Sequence, residues 1–447
     1  MQAADLASAL GAVEVRGLER LSGGASRETW RFDAVRADGA VDPLILRRDP
    51  PGRPSQPGLM THEAAAGRAC AAAGLRVPEV LLSSEAPSPW ETAGVVMRRV
   101  EGETLARRIL RDDRFAAARA TLVDDCATFL AGLHALRLAD VPGLEETDPL
   151  ALCRANLALV GSATPTMELA FRWLAAHHPP PRRPVIVHGD FRLGNLVVDE
   201  AGLVAVLDWE LLHRGDPVED LGWLCTKAWR FGAALPVGGF ATREELLAAY
   251  RAAGGVDVSL DELRWWEVLG SLKWAIGCMG QGAAHLDGRV RSVELAAIGR
   301  RVCEQEWDLL LLLCPEAAAR HRTPPVPPPA LEDELHGRPS QAELLEAVEE
   351  FLRDEVMPAT SGRLSFLSRV AANVVAMAER EAVLGPAQAA QRAAELASLG
   401  VGSEDELAAA IGAGTFDDHP AELHDVLASG VAAKLAVANP RYLTAPA

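Results

Sequence analysis

Residues 185–208 read VIVHGDFRLGNLVVDEAGLVAVLD, and the fold is decided there. Two short apolar runs, Val185–Val187 and Leu196–Val198, enclose the polar loop His188-Gly189-Asp190-Phe191-Arg192-Leu193-Gly194-Asn195, and a third run, Val204–Leu207, ends on Asp208. Short β-branched runs separated by polar turn residues read as strands. The spacing sets a carboxylate at the start of the loop and an amide at its end, both aimed into one site. Asp190 is placed to accept a proton from a hydroxyl, and the Asn195 amide oxygen to coordinate a hard cation. The hairpin return brings Asp208 back beside Asn195 as a second oxygen ligand. Magnesium suits such a pair, because it takes few protein oxygens and completes its shell with phosphate and water.

Moving outward, the chain changes character near residue 104. Before it come β-like segments at 13–21, 29–35, 43–48 and 95–100, with a helical stretch over 61–73. After it helical periodicity dominates, interrupted by the loop and its strands. This predicts an α+β domain of two lobes over 1–320: a β-rich lobe at 1–98, a connecting hinge at 99–103 and a helical lobe at 104–320. Residues 321–330 read HRTPPVPPPA, which cannot form a helix or central strand and reads as a semi-rigid linker. The tail, 331–447, holds eight Lys+Arg against 19 Asp+Glu and none of the ten tryptophans, so it reads as a separate small all-α domain. Its helical stripes Leu344, Leu345, Val348, Phe351, Leu352 and Phe366, Val370, Val374, Met377 suit docking or homodimer formation better than catalysis.

Composition narrows the function. With 44 Lys+Arg and 62 Asp+Glu the 447-residue chain carries a formal charge of −18, which disfavours general binding to nucleic acid or an anionic membrane. The first ten residues lack the cationic flank and apolar run of an export signal, and no apolar run approaches the ~20 residues of a membrane span, so a cytoplasmic protein is expected. Seven scattered cysteines without a Cys-x-x-Cys pair suggest buried, reduced thiols rather than zinc or disulfides. Only three lysines occur, Lys227, Lys273 and Lys434, so any cation needed in the first half must be arginine.

Asp-x4-Asn followed by a strand-terminal Asp resembles the catalytic and metal loops of protein kinases, and the His-Gly-Asp opening is the form found in the aminoglycoside phosphotransferase and choline kinase-like family. The resemblance extends to Leu21-Ser22-Gly23-Gly24-Ala25-Ser26-Arg27-Glu28-Thr29-Trp30-Arg31-Phe32, between two β-like segments, whose small residues match the family's nucleotide-positioning loop. It implies a two-lobed kinase-like fold that binds ATP and Mg²⁺ and phosphorylates a hydroxyl of a small molecule. Asp190 would be the base, with Arg192 neutralising charge on the transferring phosphate; Asn195 and Asp208 would hold the metal. Ser22, Gly23, Gly24 and Ser26 would hold phosphates. The family expects a lysine on the third strand, paired with a helix glutamate. Here Arg47 takes that place, opposite Glu63, because Leu46 should face the core and leave Arg47 toward the site, with Arg48 as the fallback. Met97, Arg98 and Val100 fall where the hinge backbone meets adenine, and Asp220, in Gly215-Asp216-Pro217-Val218-Glu219-Asp220-Leu221, would brace the catalytic loop. The loop, strand and helical tail together look most like the kinase-like domains found with acyl-CoA dehydrogenases, which raises hydroxyacyl compounds as acceptors above aminoglycoside antibiotics. Two other readings stay open: a nucleotide-binding pseudokinase, raised by the missing lysine, and a scaffold whose active part is the acidic tail.

Overall fold

The structure is a computed structural model that describes residues 2–21, 27–52, 58–85, 89–323 and 337–444. Packing divides the chain into two compact units, one of 1–147 with 180–266 and one of 148–179 with 267–447.

The first unit opens with a helix, Ala3–Leu10, closed by Gly11 in the left-handed region at φ 63°. Five antiparallel strands follow: β1 (Glu14–Arg20), β2 (Glu28–Val35), β3 (Val41–Arg48), β4 (Val80–Ser84) and β5 (Gly94–Arg98), in the order β1-β2-β3-β5-β4. Alternation sorts their side chains. Leu44 and Leu46 of β3 join Phe32, Val96, Trp90 and Leu6 of the first helix on one face. The opposite face carries Val95, packed on Met60 and Ala64 of the helix Leu59–Ala72. Arg47 pairs across the sheet with Val95 and therefore lies on that helix's side, while Arg48 lies on the other, bonded to Glu28 at 2.9 Å and to the Trp90 carbonyl at 2.6 Å.

Beyond the sheet, Gly102 sits at φ 150°, where an added Cβ would come within 2.5 Å of Val197. The next residue, Glu103, exchanges backbone hydrogen bonds of 2.8 and 3.0 Å with Val198, fastening the hinge to the strand that follows the polar loop. That region holds four short strands: β6 (Val185–Val187), β7 (Leu196–Val198), β8 (Leu203–Val206) and β9 (His213–Gly215). The β7–β8 hairpin forms as the sequence suggests, but β6 pairs with β9 and with neither hairpin strand. Behind them lies the helix Ala116–Ala135, which buries Leu122, Cys126, Phe129, Leu130 and Leu133.

In the second unit the acidic tail does not close a core by itself. Leu407, Ile411, Leu423, Leu427, Val431 and Leu435 share one core with Cys303, Trp307, Leu310 and Cys314. Three buried acids of the helix Val302–Leu313 receive partners from the end of the chain: Glu304 from Asn439 at 2.8 Å, Glu306 from Lys434 at 3.2 Å and Asp308 from Tyr442 at 2.8 Å. Apart from 321–323, the proline-rich segment expected as a linker lies outside the described residues. The stripe Leu344, Val348 and Phe351 is about half exposed rather than buried. All seven cysteines are buried and none is in a disulfide among the described residues. Among the described residues, no helix is long and apolar enough to cross a membrane.

Candidate active site

The polar loop is built on Asp220. This residue is fully buried and, from the first turn of the helix Val218–Cys225, accepts the amides of His188 (2.9 Å, Oδ2) and Gly189 (2.9 Å, Oδ1). His134 Nε2 stands 3.2 Å from the same carboxylate, and its Nδ1 is 2.7 Å from the Tyr250 hydroxyl. A carboxylate only accepts, so Nε2 carries a proton, and in the neutral ring Nδ1 then accepts from the Tyr250 hydroxyl. Burial works to raise the Asp220 pKa, yet His134, His188 and the backbone amides hold it below the usual aspartate range. This is the bracing role anticipated for Asp220.

Gly189 turns the chain into the loop at φ 79°, with the Leu211 carbonyl only 2.3 Å from where a Cβ would sit. Gly189→Ala combines that left-handed strain with a backbone clash. It is expected to cost roughly 1–3 kcal/mol, seen in urea unfolding, and to reduce turnover by displacing the next residue.

That residue is Asp190, 8% exposed, and both of its carboxylate oxygens are held. Oδ1 accepts from Trp223 Nε1 at 2.8 Å and from Arg192 Nε at 3.0 Å; Oδ2 accepts from Asn195 Nδ2 at 2.6 Å. Trp223 lies one helical turn beyond Asp220, so one helix face supports both the loop backbone and the loop carboxylate. The Arg192 guanidinium also rests 4.7 Å over the Trp229 ring. In this arrangement Arg192 is engaged with Asp190.

Asn195 donates its side-chain amide to Asp190, and its backbone carbonyl accepts the Leu207 amide at 2.8 Å. That bond sets Asp208, the next residue, beside it. Asp208 adopts φ 67°, a left-handed conformation rare outside glycine, and such strain concentrates where a side chain must be aimed. One of its oxygens, Oδ1, accepts from Arg47 Nη2 at 2.7 Å. Burial pushes the Asp208 pKa up, but Arg47, with His188 and Arg192 farther off, holds it below the usual range, so the group is ionised. Arg47 is the reciprocal case: burial disfavours its charge, and Glu63 and Asp208 more than restore it.

The expected ion pair is formed, with Arg47 Nη1 donating to Glu63 Oε1 at 2.6 Å. Glu63 Oε2 is taken by Arg27, a residue the sequence reading passed over. At the hinge, Met97 of β5 packs against the cluster of Met60, Ala64 and Val95, and Arg98 is tied to Glu79 and Asp42 at 2.8 and 2.9 Å. Arg99 donates its amide to the Pro43 carbonyl at 2.9 Å. The nucleotide-loop residues Ser22, Gly23, Gly24 and Ser26 lie outside the described residues. The side chains missing from the sequence reading are Arg27, His134, Trp223 and Tyr250. For Trp223 a signal existed in its spacing of three from Asp220.

The strand order, the fastened hinge and the loop that joins Asp190 to Asn195 and Asp208 are those of a two-lobed, kinase-like fold. Residues 17–266 match the phosphotransferase enzyme family, and the chain belongs to it. A second match, over residues 358–442, is to a domain of unknown function. Among curated proteins, acyl-CoA dehydrogenase family member 11 of Gallus gallus is 28% identical over 347 residues, covering 70% of this chain and 43% of its own length. The Rattus norvegicus protein of the same name is 27% identical, covering 70% of this chain and 42% of its own length. The chain thus spans less than half the length of these relatives. Among solved structures, a Ralstonia eutropha protein assigned to the aminoglycoside phosphotransferases aligns with TM-score 0.52 at 21% identity, over 66% of this chain and 91% of that one. The GDP and kanamycin complex of APH(2")-IIIa aligns with TM-score 0.50 at 16% identity, over 68% and 97%. At these identities the likeness shows the fold.

Proposed function

We propose that the protein transfers the γ-phosphoryl group of ATP to a hydroxyl of a small molecule, with Mg²⁺ as cofactor. The observation that carries this is the joint placement of Asp190, Asn195 and Asp208, with Arg47 ion-paired to Asp208. Asn195 Oδ1 and the second oxygen of Asp208 are hard donors of the kind magnesium accepts, and these two residues would hold it. Bound there, the metal would neutralise charge on the β- and γ-phosphates.

Asp190 would orient the acceptor hydroxyl and take its proton as the oxygen bonds to the γ-phosphorus. The bond from that phosphorus to the β–γ bridging oxygen breaks, and ADP leaves. Phosphoryl transfer asks for positioning and charge neutralisation rather than covalent help. Arg47 would supply a forked donor to the phosphates. Arg192, once the acceptor hydroxyl replaces it on Asp190, stands close enough to meet the transferring group. At the hinge, the Val100 amide would meet the adenine ring.

The curated relatives' name supports a hydroxylated acyl compound as the first acceptor to test, with kanamycin as the comparison. Substitution of the metal ligand gives a direct test. Asp208→Asn is expected to raise the Mg²⁺ concentration for half-maximal ADP release by about tenfold or more, since one charge-assisted contact of roughly 1.5–3 kcal/mol is lost. ADP release that is indifferent both to chelation of Mg²⁺ and to this substitution would overturn the reading.

A further inference from the structure

Glu63 is 3% exposed, yet two guanidinium groups serve it, Arg47 on Oε1 at 2.6 Å and Arg27 on Oε2. One would neutralise it. The two arginines differ in what else they hold. Arg47 is shared with Asp208 at 2.7 Å. Arg27 is 6% exposed, reaches Asp49 only at 3.5 Å, and among the described residues its Nη2 has no acceptor. Arg27 is therefore anchored on Glu63, whereas Arg47 is stretched between two carboxylates on different elements.

On the phosphotransferase reading this matters when nucleotide arrives. While Arg47 holds Asp208, one oxygen of that metal ligand is occupied and both Nη groups of the guanidinium are engaged with carboxylates. Loading requires an exchange in which Arg47 Nη2 gives up Asp208 for a phosphate oxygen. If Arg47 alone neutralised Glu63, each such movement would threaten to leave a buried carboxylate bare, which is costly. A fixed second arginine removes that penalty.

We infer that Arg27 is a positioning residue for nucleotide binding, keeping Glu63 neutralised and in place while Arg47 passes from Asp208 to the phosphates. Fixed and mobile duties, combined in a single lysine–glutamate pair where a lysine is present, are divided here between two arginines.

The inference rests on the phosphotransferase reading, and calorimetric titration of the full chain with Mg-ATP and, separately, with adenosine tests the two apart. Arg27→Met is expected to weaken Mg-ATP binding about tenfold, the scale of one charge-assisted contact, and to leave adenosine, which has no phosphate, unchanged. Arg27→Lys should restore affinity to within about threefold of wild type, since it keeps the charge but not the fork. Because Arg27 acts through Glu63, adding Arg27→Met to Glu63→Gln should weaken Mg-ATP no further than Glu63→Gln alone. Unchanged Mg-ATP affinity in folded Arg27→Met, equal loss of adenosine binding, or additive losses in the double variant would each overturn the inference. Should Arg27→Met fail to fold, Arg27→Gln, which also removes the charge, takes its place: a loss confined to Mg-ATP supports the inference and no loss refutes it. Wild-type protein that binds no Mg-ATP would instead bring down the phosphotransferase reading itself.

Discussion

Asp190→Asn is expected to lower Mg-ATP-dependent phosphorylation by roughly 10²–10⁴-fold, the usual contribution of a positioned general base. The substitution preserves shape, so the effect isolates chemistry. An amide oxygen can still accept from Asn195 Nδ2 or Trp223 Nε1, which lie 2.6 and 2.8 Å from the native carboxylate. Its NH₂ must face a donor on the other side, and it cannot take a proton from an acceptor hydroxyl. Nucleotide affinity should change little, because the proposed phosphate contacts are made by other groups. Initial rates of ADP release with a saturating acceptor, compared with calorimetric nucleotide affinity, separate the two. Turnover near the wild-type value would remove Asp190 from the chemistry.

The second large effect falls on stability. Asp220→Ala deletes an acceptor shared by the His188 and Gly189 amides and by His134, all in a fully buried setting. Breaking a buried charged network from one side leaves the remaining polar groups unpaired and costs roughly 3–5 kcal/mol. The corresponding fall in melting temperature is on the order of 10 °C. The pH dependence has a definite sign. The folded-state pKa of Asp220 lies below its ordinary 3.8, so the unfolded chain binds the proton more readily. Its stabilisation is therefore complete well above pH 3.8 and is lost as pH falls through the lower, folded value. Asp208 adds a contribution of the same sign. Asp220→Ala should thus show a weaker acid dependence of melting between neutral pH and the onset of acid unfolding. A variant with wild-type melting temperature and the same acid profile would show that the loop does not depend on this carboxylate.

How far the sequence led can be traced residue by residue. Alternation along Leu44-Ile45-Leu46-Arg47-Arg48 settled which arginine would turn toward Glu63, because a strand offers only two faces and Leu46 belongs to the core. The loop from His188 to Asn195 was legible for a similar reason: its functional groups are close in sequence, and short spacing fixes geometry. Groups supplied from a distance were not legible. His134 reaches Asp220, and Tyr250 reaches His134, from helices distant in sequence, and neither periodicity nor composition marks which buried polar residue will meet which. Arg27 lies within a segment read for its small residues, and its own side chain was given no role. The pairing of β6 with β9 was likewise open, since three-residue strands carry too little pattern to choose a partner. In the tail, apolar stripes identified helices correctly but could not say that Leu407, Leu427 and Leu435 would pack on Trp307 and Leu310.

The arginine pair on Glu63 also changes the covalent chemistry of the lobe. A phosphate-binding lysine is an amine beside bound nucleotide, open to acetylation, to other acyl donors and to the acyl-phosphate reagents that tag nucleotide sites. Guanidinium groups stay protonated at neutral pH and present no comparable nucleophile. With no lysine before residue 227, nothing in the small lobe can be switched off or labelled by transfer of an acyl group to a side-chain amine.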